Sequence, residues 1–220
     1  MNREEKLIGF VVVIAVALTL PSAAMAVHPC TSPLILDLEG DGFLIWGATT
    51  VGVDFDIDGD GTKERIGWTG IGRDAFLWTD RNGNGTVDDG SELFGTASEV
   101  PGHGAAKNGF EALAYLDAPE AGGNGDAILD AADEGWRSLL LWIDENRNAR
   151  SERSEIRPLA AEGIWAFDLA YTTVNEVDGG GNLWAFEGTF VQQVRGRGEV
   201  RFRLGQIVDI FFDLDDAASP

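Results

Sequence analysis

The chain has 220 residues, of which 37 are acidic and 16 are basic, so its formal net charge at pH 7 is −21. Such a surface repels nucleic-acid phosphates and anionic membrane headgroups, which argues against either as a partner. A single cysteine excludes an intrachain disulfide framework. Bound cations would relieve the repulsion among so many carboxylates.

Residues 1–26 have the pattern of a secretory signal peptide. Arg3 and Lys6 precede an apolar run, and Ala24-Met25-Ala26 supplies the small residues before a cleavage point after Ala26. The apolar run is shorter than a membrane-spanning helix requires, although an uncleaved anchor is the alternative. We therefore expect a secreted or extracytoplasmic protein, with no membrane contact after signal cleavage.

The most informative stretch is residues 80–92, called loop 3. Asp80, Asn82 and Asn84 alternate and Gly85 follows at the sixth position, which is the spacing of an EF-hand calcium loop. The Glu that an EF-hand needs at the twelfth position is displaced by one residue. Further candidate ligands in loop 3 are Thr86, Asp88 and Glu92. The alternative is an Asn/Gly-rich β-turn that binds no ion.

Two acidic turns precede loop 3. Loop 1, residues 37–42, offers the alternating candidate ligands Asp37, Glu39 and Asp41, but its twelfth position is Ala48. Loop 2, residues 56–64, can be read from Asp54 or from Asp56. We favour the second frame, which gives the candidate ligands Asp56, Asp58, Asp60, Thr62 and Glu64. The alternative for loop 2 is a solvated acidic turn.

Residues 144–155, called loop 5, match the full EF-hand frame best. Candidate ligands stand at positions one, three, five, nine and twelve: Asp144, Asn146, Asn148, Glu152 and Glu155. Ala149 replaces the usual glycine at position six, where a left-handed conformation costs about 1 kcal/mol. Three arginines, Arg147, Arg150 and Arg153, would compete with an ion inside this loop.

Residues 117–133, called loop 4, match the frame less well. The weaker candidate ligands are Asn124, Asp126, Asp130 and Asp133, in a frame that puts Gly122 at the first position and Ala127 in place of the glycine. Asp117 can be the first ligand only if residues 118–123 bulge out as an insertion. Helical spacing of apolar residues from Phe110 and again over 131–142 predicts helices around these loops.

The last third alternates like β-strands, with a turn at 178–182. We therefore predict an α+β fold, in which acidic calcium-binding turns join short strands, an EF-hand-like helical pair occupies the middle and antiparallel strands form the C-terminal end. The predicted regions are a signal peptide (1–26), a β-rich calcium-loop region (27–107), an EF-hand-like helical region (108–162), an antiparallel β region packed on the rest (163–213) and a tail (214–220).

The order of several sequence blocks resembles a recurrent region of large bacterial exoproteins, the calcium-binding proteins associated with haemolysin-type (repeats-in-toxin, RTX) and cadherin-like adhesins. The blocks lie at 33–42, 56–61, 67–68, 80–85, 88–95, 108–113, 136–146 and 171–176. The resemblance implies calcium binding, export and no enzymatic activity. Glu39, Ala127 and Ala149 depart from the family pattern, which usually has Asp at the first of these positions and glycine at the other two.

These observations favour an exported calcium-binding module whose ions stabilise the fold and which can present a surface to a protein or polysaccharide partner. One alternative is a calcium-dependent, lectin-like carbohydrate-binding protein, since the chain has seven Trp and twelve Phe, although a core role suits most of these rings better. Another alternative is a calcium-stabilised hydrolase. The sequence has no nucleophile elbow, His-Glu-x-x-His motif or Cys-His pair, so we predict that the protein is not an enzyme.

Overall fold

The computed structural model describes residues 31–196 and 199–215, without the side chains of residues 195 and 196. The predicted signal peptide and Cys30 lie outside the described residues, as do residues 216–220 of the predicted tail. No helix within the described residues is long and apolar enough to cross a membrane.

Eight strands form one antiparallel sheet, in the order β11-β10-β6-β1-β14-β13-β12-β9. Their bounds are β1 Leu34–Asp37, β6 Asp74–Thr79, β9 Ile128–Asp130, β10 Leu139–Trp142, β11 Ile156–Pro158, β12 Ile164–Val177, β13 Leu183–Gly196 and β14 Glu199–Phe211. The remaining strands pair as β2 Ile45–Trp46 with β5 Trp68–Thr69, β3 Val53–Phe55 with β4 Glu64–Ile66, and β7 Glu99–Val100 with β8 Gly104–Ala105.

The central strands are buried on both faces, because successive side chains point to opposite sides of a sheet. In β1, Leu34 and Leu36 contribute to one hydrophobic core, whereas Ile35 contributes to the other. In β6, Leu77 belongs to the first core and Phe76 to the second. The first core, called core A, lies under α2, and the second, called core B, contains the buried tryptophans Trp68, Trp78 and Trp142.

The predicted α+β fold is wrong, because the protein is mostly β. Within the described residues the α-helices are α1 Ala48–Val51 and α2 Gly109–Ala114, and short 3-10 segments lie at Gly90–Glu92, Tyr115–Asp117, Pro119–Ala121, Glu134–Ser138 and Leu159–Glu162. The longest of these segments is α2, with six residues, and it begins where the Asn108 side chain accepts a hydrogen bond from the Glu111 N–H. An EF-hand-like helical pair is therefore absent from this part of the chain.

The error over residues 131–142 has a physical cause. In β10, Leu139 and Leu141 belong to core A, while Leu140 packs against core B and Trp142 lies within it. A strand that is buried on both faces has a continuous apolar run, and such a run cannot be told from a buried helix by its spacing. The alternation predicted for the last third of the chain corresponds to the long strands β12, β13 and β14.

Candidate metal centre

The five acidic loops share one hydrogen bond that fixes their shape. In each loop the backbone N–H at position six donates a hydrogen bond to the carboxylate at position one, and the donor–acceptor distance is 2.9 Å in every case. The pairs are Gly42 to Asp37, Gly61 to Asp56, Gly85 to Asp80, Ala127 to Asp117 and Ala149 to Asp144. This contact holds the first carboxylate at the centre of the turn, as an EF-hand loop requires.

The backbone turn is also common to all five loops. Positions four and six have positive φ throughout, in the left-handed region that favours glycine. The residues are Gly40 and Gly42, Gly59 and Gly61, Gly83 and Gly85, Gly125 and Ala127, and Arg147 and Ala149. Loop 5 adopts the turn without any glycine at these positions, so the departures noted in its sequence do not prevent the loop from forming.

These contacts settle where two of the loops begin. Loop 2 follows the frame that starts at Asp56, whose Oδ1 accepts hydrogen bonds from the N–H groups of Gly59 and Asp60 at 2.8 and 3.1 Å. Loop 4 starts at Asp117 and not at Gly122, because the N–H groups of Gly125 and Ala127 both donate to the Asp117 carboxylate. Residues 118–123 form the bulge on which this frame depends, so Asp117 joins the candidate ligands.

A second carboxylate closes three of the loops. In loop 5, Glu155 accepts hydrogen bonds from the N–H groups of Asn146 and Glu152, at 3.4 and 3.2 Å. In loop 4 the corresponding acceptor is Asp133, with Asn124 and Asp130 as donors, and in loop 3 it is Glu92, with Arg81 and Asp88 as donors. Glu92, although displaced by one residue, therefore accepts backbone hydrogen bonds from both ends of loop 3, as Glu155 does at position twelve of loop 5.

Loop 2 has the tightest carboxylate cluster. Asp56, Asp58 and Glu64 each place one carboxylate oxygen within 4.8 Å of the other two. Desolvation by burial raises the pKa values of Asp58 and Glu64, and neighbouring carboxylates add to both shifts. Asp60 and Thr62 are exposed outside this cluster, where the Asp60 side chain accepts a hydrogen bond from the Thr62 N–H.

Loop 1 receives its missing carboxylate from another strand. Asp74, at the start of β6, lies opposite Asp37 in the sheet and accepts a hydrogen bond from the Leu44 N–H at 3.1 Å. Desolvation by burial is the main reason that the pKa of Asp74 is raised to about 7, and the charges of Asp37, Asp41 and Glu39 contribute to this rise. Sequence spacing missed Asp74 because it is remote along the chain, and its only signal was an acidic residue at the start of an apolar strand.

Side-chain amides surround the carboxylate at position nine in loops 3 and 5. The amide groups of Asn82 and Asn84 donate to Asp88 at 2.7 and 2.6 Å, and the hydrogen bond from Asn82 is the main reason that the pKa of Asp88 is lowered. Asn146 and Asn148 donate to Glu152 in the same way, at 3.2 and 2.8 Å. The Thr86 hydroxyl also contacts Asp88. In loops 3 and 5 these contacts gather the predicted ligands at positions three, five and nine.

Crowded acidic groups in loop 5 hold a proton near neutral pH. Desolvation by burial raises the pKa of Glu155 to about 7, and the adjacent Glu152 and Asp144 carboxylates contribute to the shift. A hydrogen bond from protonated Glu155 correspondingly lowers the pKa of Glu152. A divalent cation between the two carboxylates would displace this proton.

The loops attach to the two faces of the sheet. Ile57, Val87 and Ala149, from loops 2, 3 and 5, belong to core B. Leu38 of loop 1 and Leu129 of loop 4 belong to core A.

Loop 5 pairs with loop 3 through their eighth positions, where the Val87 N–H donates to the Ser151 hydroxyl at 2.7 Å. The predicted EF-hand-like helical pair around loops 4 and 5 is therefore wrong, because β10 lies where the helix over 131–142 was expected and Leu129 of loop 4 lies in β9, which pairs with β12.

The aromatic side chains near the loops are mostly core residues. Trp68, Trp78 and Trp142 are fully buried, and the Trp68 indole N–H donates to Asp144 at 2.7 Å. The exposed rings Trp165 and Phe202 are inclined at 88° to each other. They do not form the coplanar, solvent-facing platform that stacking against a sugar would favour.

The fold and the loops define an antiparallel β protein that carries a set of carboxylate-capped, EF-hand-type turns. Residues 34–202 match the sequence profile of the SPM domain, and the chain belongs to the SPM domain family. The iron-regulated protein FrpA of Neisseria meningitidis serogroup C is 40% identical over 161 residues, which are 73% of this chain. The matched region is only 14% of FrpA, so this chain spans a small part of that relative.

Proposed function

We propose that this protein is an exported calcium-binding module in which the ions complete the fold. The observation that carries the proposal is the common frame of the five loops. Each loop fixes its first carboxylate with the N–H at position six. Loops 3, 4 and 5 are closed by Glu92, Asp133 and Glu155, Glu64 of loop 2 accepts a hydrogen bond from the Ile57 N–H, and loop 1 faces Asp74. A repeated frame of this kind is typical of a repeated ligand.

The burial of these groups supports a cation. Asp37, Asp117 and Asp144 are at most 5% exposed, and closing carboxylates such as Asp133 and Glu155 are similarly buried. Ionised carboxylates in such positions are costly unless a counter-charge is present. The oxygen-only donor set suits calcium, since soft metals and zinc prefer Cys and His ligands.

Export is supported by the predicted signal peptide and by the resemblance of the sequence blocks to bacterial exoproteins. Extracellular calcium modules bind with dissociation constants of roughly 10⁻⁴–10⁻³ M. At calcium concentrations about ten times the dissociation constant, each filled site stabilises the native state by about 1.4 kcal/mol. Three or four sites would contribute on the order of 5 kcal/mol, comparable with the whole stability of a small domain. We propose a binding role and not a catalytic one.

The test is calorimetry on the mature chain, with calcium and magnesium titrated separately. We expect calcium to bind more tightly, because magnesium demands a smaller octahedral shell and keeps its waters. Chelation should lower the melting temperature by on the order of 10 °C or more, and sodium chloride at matched ionic strength should not restore it, since screening supplies no ligands. An unchanged melting temperature in chelator, or equal affinity for the two ions, would refute the proposal.

A further inference from the structure

The β3–β4 pair and loop 5 line an open cavity whose charge is opposite to that of the rest of the protein. The cavity has a volume of about 350 Å³ and is lined by Lys63, Arg65, Arg147 and Arg150, together with Asp54, Asn148 and backbone at 52–53. These four cations are a quarter of the 16 basic residues in a chain with 37 acidic ones. None of these four side chains is a candidate calcium ligand.

The fold brings the four cations together from two directions. Lys63 immediately precedes β4 and Arg65 lies within it, two residues apart, so their side chains leave the strand on the same side. Arg147 and Arg150 occupy positions four and seven of loop 5. Arg147 has a φ of 61°, and its guanidinium lies 5.9 Å from the centre of the Trp46 ring and donates to the Glu145 carbonyl. The sequence suggested that Arg147 and Arg150 would compete with an ion inside loop 5. In the structure both residues line this separate cavity instead.

Among the described residues, an ion pair balances one of the four positive charges in this cavity and leaves three without a partner carboxylate. Arg65 pairs with Asp54, the only carboxylate in the lining, at 3.4 Å. Lys63, Arg147 and Arg150 form no ion pair with any other residue that the structure describes. Like charges held close together repel one another, so an anion in the cavity would relieve an unfavourable interaction as well as form new ones.

We propose that this cavity binds a small multivalent oxyanion of the phosphate or sulfate class. A guanidinium group presents parallel N–H donors that match two oxygens of such an anion, and three of the four cations are arginines. The volume is at the lower end of the range for small-molecule sites, so it admits the anion with a modest attached group. The net charge of −21 repels anions at long range, so binding relies on the local positive potential of the four cations, which attracts a multivalent anion more strongly than a monovalent one.

The experiment measures sulfate binding to the full mature chain by calorimetry, at constant ionic strength in sodium chloride. Sulfate is the probe in the presence of calcium because it stays in solution at millimolar calcium, and inorganic phosphate is the probe in chelator. The test variant is Lys63→Gln with Arg150→Gln, two exposed side chains of the cavity. The matched control is Lys107→Gln with Arg137→Gln, which removes the same charge from exposed positions elsewhere.

We expect saturable binding of one anion, weakened about tenfold or more in the cavity variant and changed less than about twofold in the control. Circular dichroism establishes that each variant is folded. The absence of saturable binding, or equal weakening in the two variants, would overturn the proposal. Binding that requires calcium and is unchanged by the cavity variant would mean that the anion coordinates the metal, which also overturns it. Sulfate and phosphate binding that both depend on the cavity cations would show that the site is independent of the calcium loops.

Discussion

Replacing Asp74 with Asn should make the calcium-free protein more stable against unfolding. The same substitution should reduce the stability that the protein gains when calcium is added. Asp74 is 7% exposed and faces the three acidic side chains of loop 1. Asparagine has nearly the same shape and keeps an oxygen that can accept the hydrogen bond from the Leu44 N–H. The substitution therefore removes a buried charge without removing its main hydrogen bond.

The size of the effect follows from the pKa of Asp74, which desolvation raises from 3.8 to about 7. Each unit corresponds to about 1.36 kcal/mol, so ionised Asp74 costs the calcium-free native state on the order of 2–4 kcal/mol. Because the pKa of Asp74 is higher in the folded state, protonation of Asp74 contributes to the free energy of unfolding. This contribution is fully present below about pH 4 and is lost as the pH rises through 7. The advantage of Asn should therefore grow over this range and be largest near pH 8.

The assay is urea unfolding of wild-type and Asp74→Asn protein in chelator, at several pH values, and then in calcium. Asp168→Asn is the control, because it removes one charge from an exposed position of β12. With calcium, the wild-type protein should gain more stability than the Asp74→Asn variant, since the ion needs the charge that the variant lacks. A destabilised variant at pH 8 in chelator, or an advantage that does not depend on pH, would refute the assignment of Asp74 to loop 1.

Two further predictions concern loops 4 and 5. Calcium should change the tryptophan fluorescence, because the buried Trp68 indole donates a hydrogen bond to Asp144. Asp144→Ala or Trp68→Phe should remove most of this change. The control is Trp165→Phe, at an exposed position, which should keep it. Ala127→Gly should stabilise the protein by about 0.5–1 kcal/mol in urea unfolding by relieving a left-handed alanine with φ of 67°. Ala149→Gly should have almost no net effect on stability, because the lost burial of the methyl group costs about 0.8 kcal/mol and offsets the relief of the left-handed conformation. Equal effects of Ala127→Gly and Ala149→Gly would contradict this reasoning.

Local features of the fold could be predicted from the sequence. The turn at 178–182, the helix around Phe110 and the antiparallel strands of the last third all appear near their expected positions. Alternating acidic residues followed by glycine also located the loops, because the carboxylate at position one caps the N–H groups of the next few residues. Such contacts are encoded within six residues, so a pattern of spacing is enough to find them.

The features that sequence could not supply depend on contacts between distant segments. Asp74 reaches loop 1 only because β6 pairs with β1, and loop 3 meets loop 5 only because Ser151 reaches Val87. Asp117 is separated from the rest of its loop by an inserted turn, which breaks the regular spacing. Residues 139–142 were assigned to a helix because burial on both faces removes the alternation that identifies a strand.

The distribution of the loops over two cores has a consequence for how calcium would act. Loops 2, 3 and 5 insert Ile57, Val87 and Ala149 into core B, so an ion that tightens one of these loops also restricts the side chains against which the other two pack. Loops 1 and 4 insert Leu38 and Leu129 into core A, on the opposite face. We therefore expect calcium binding at loops that share a core to be more strongly coupled than binding at loops on opposite faces. Since β1, β6 and β10 contribute to both cores, the sheet is the element through which the two groups of loops can influence each other.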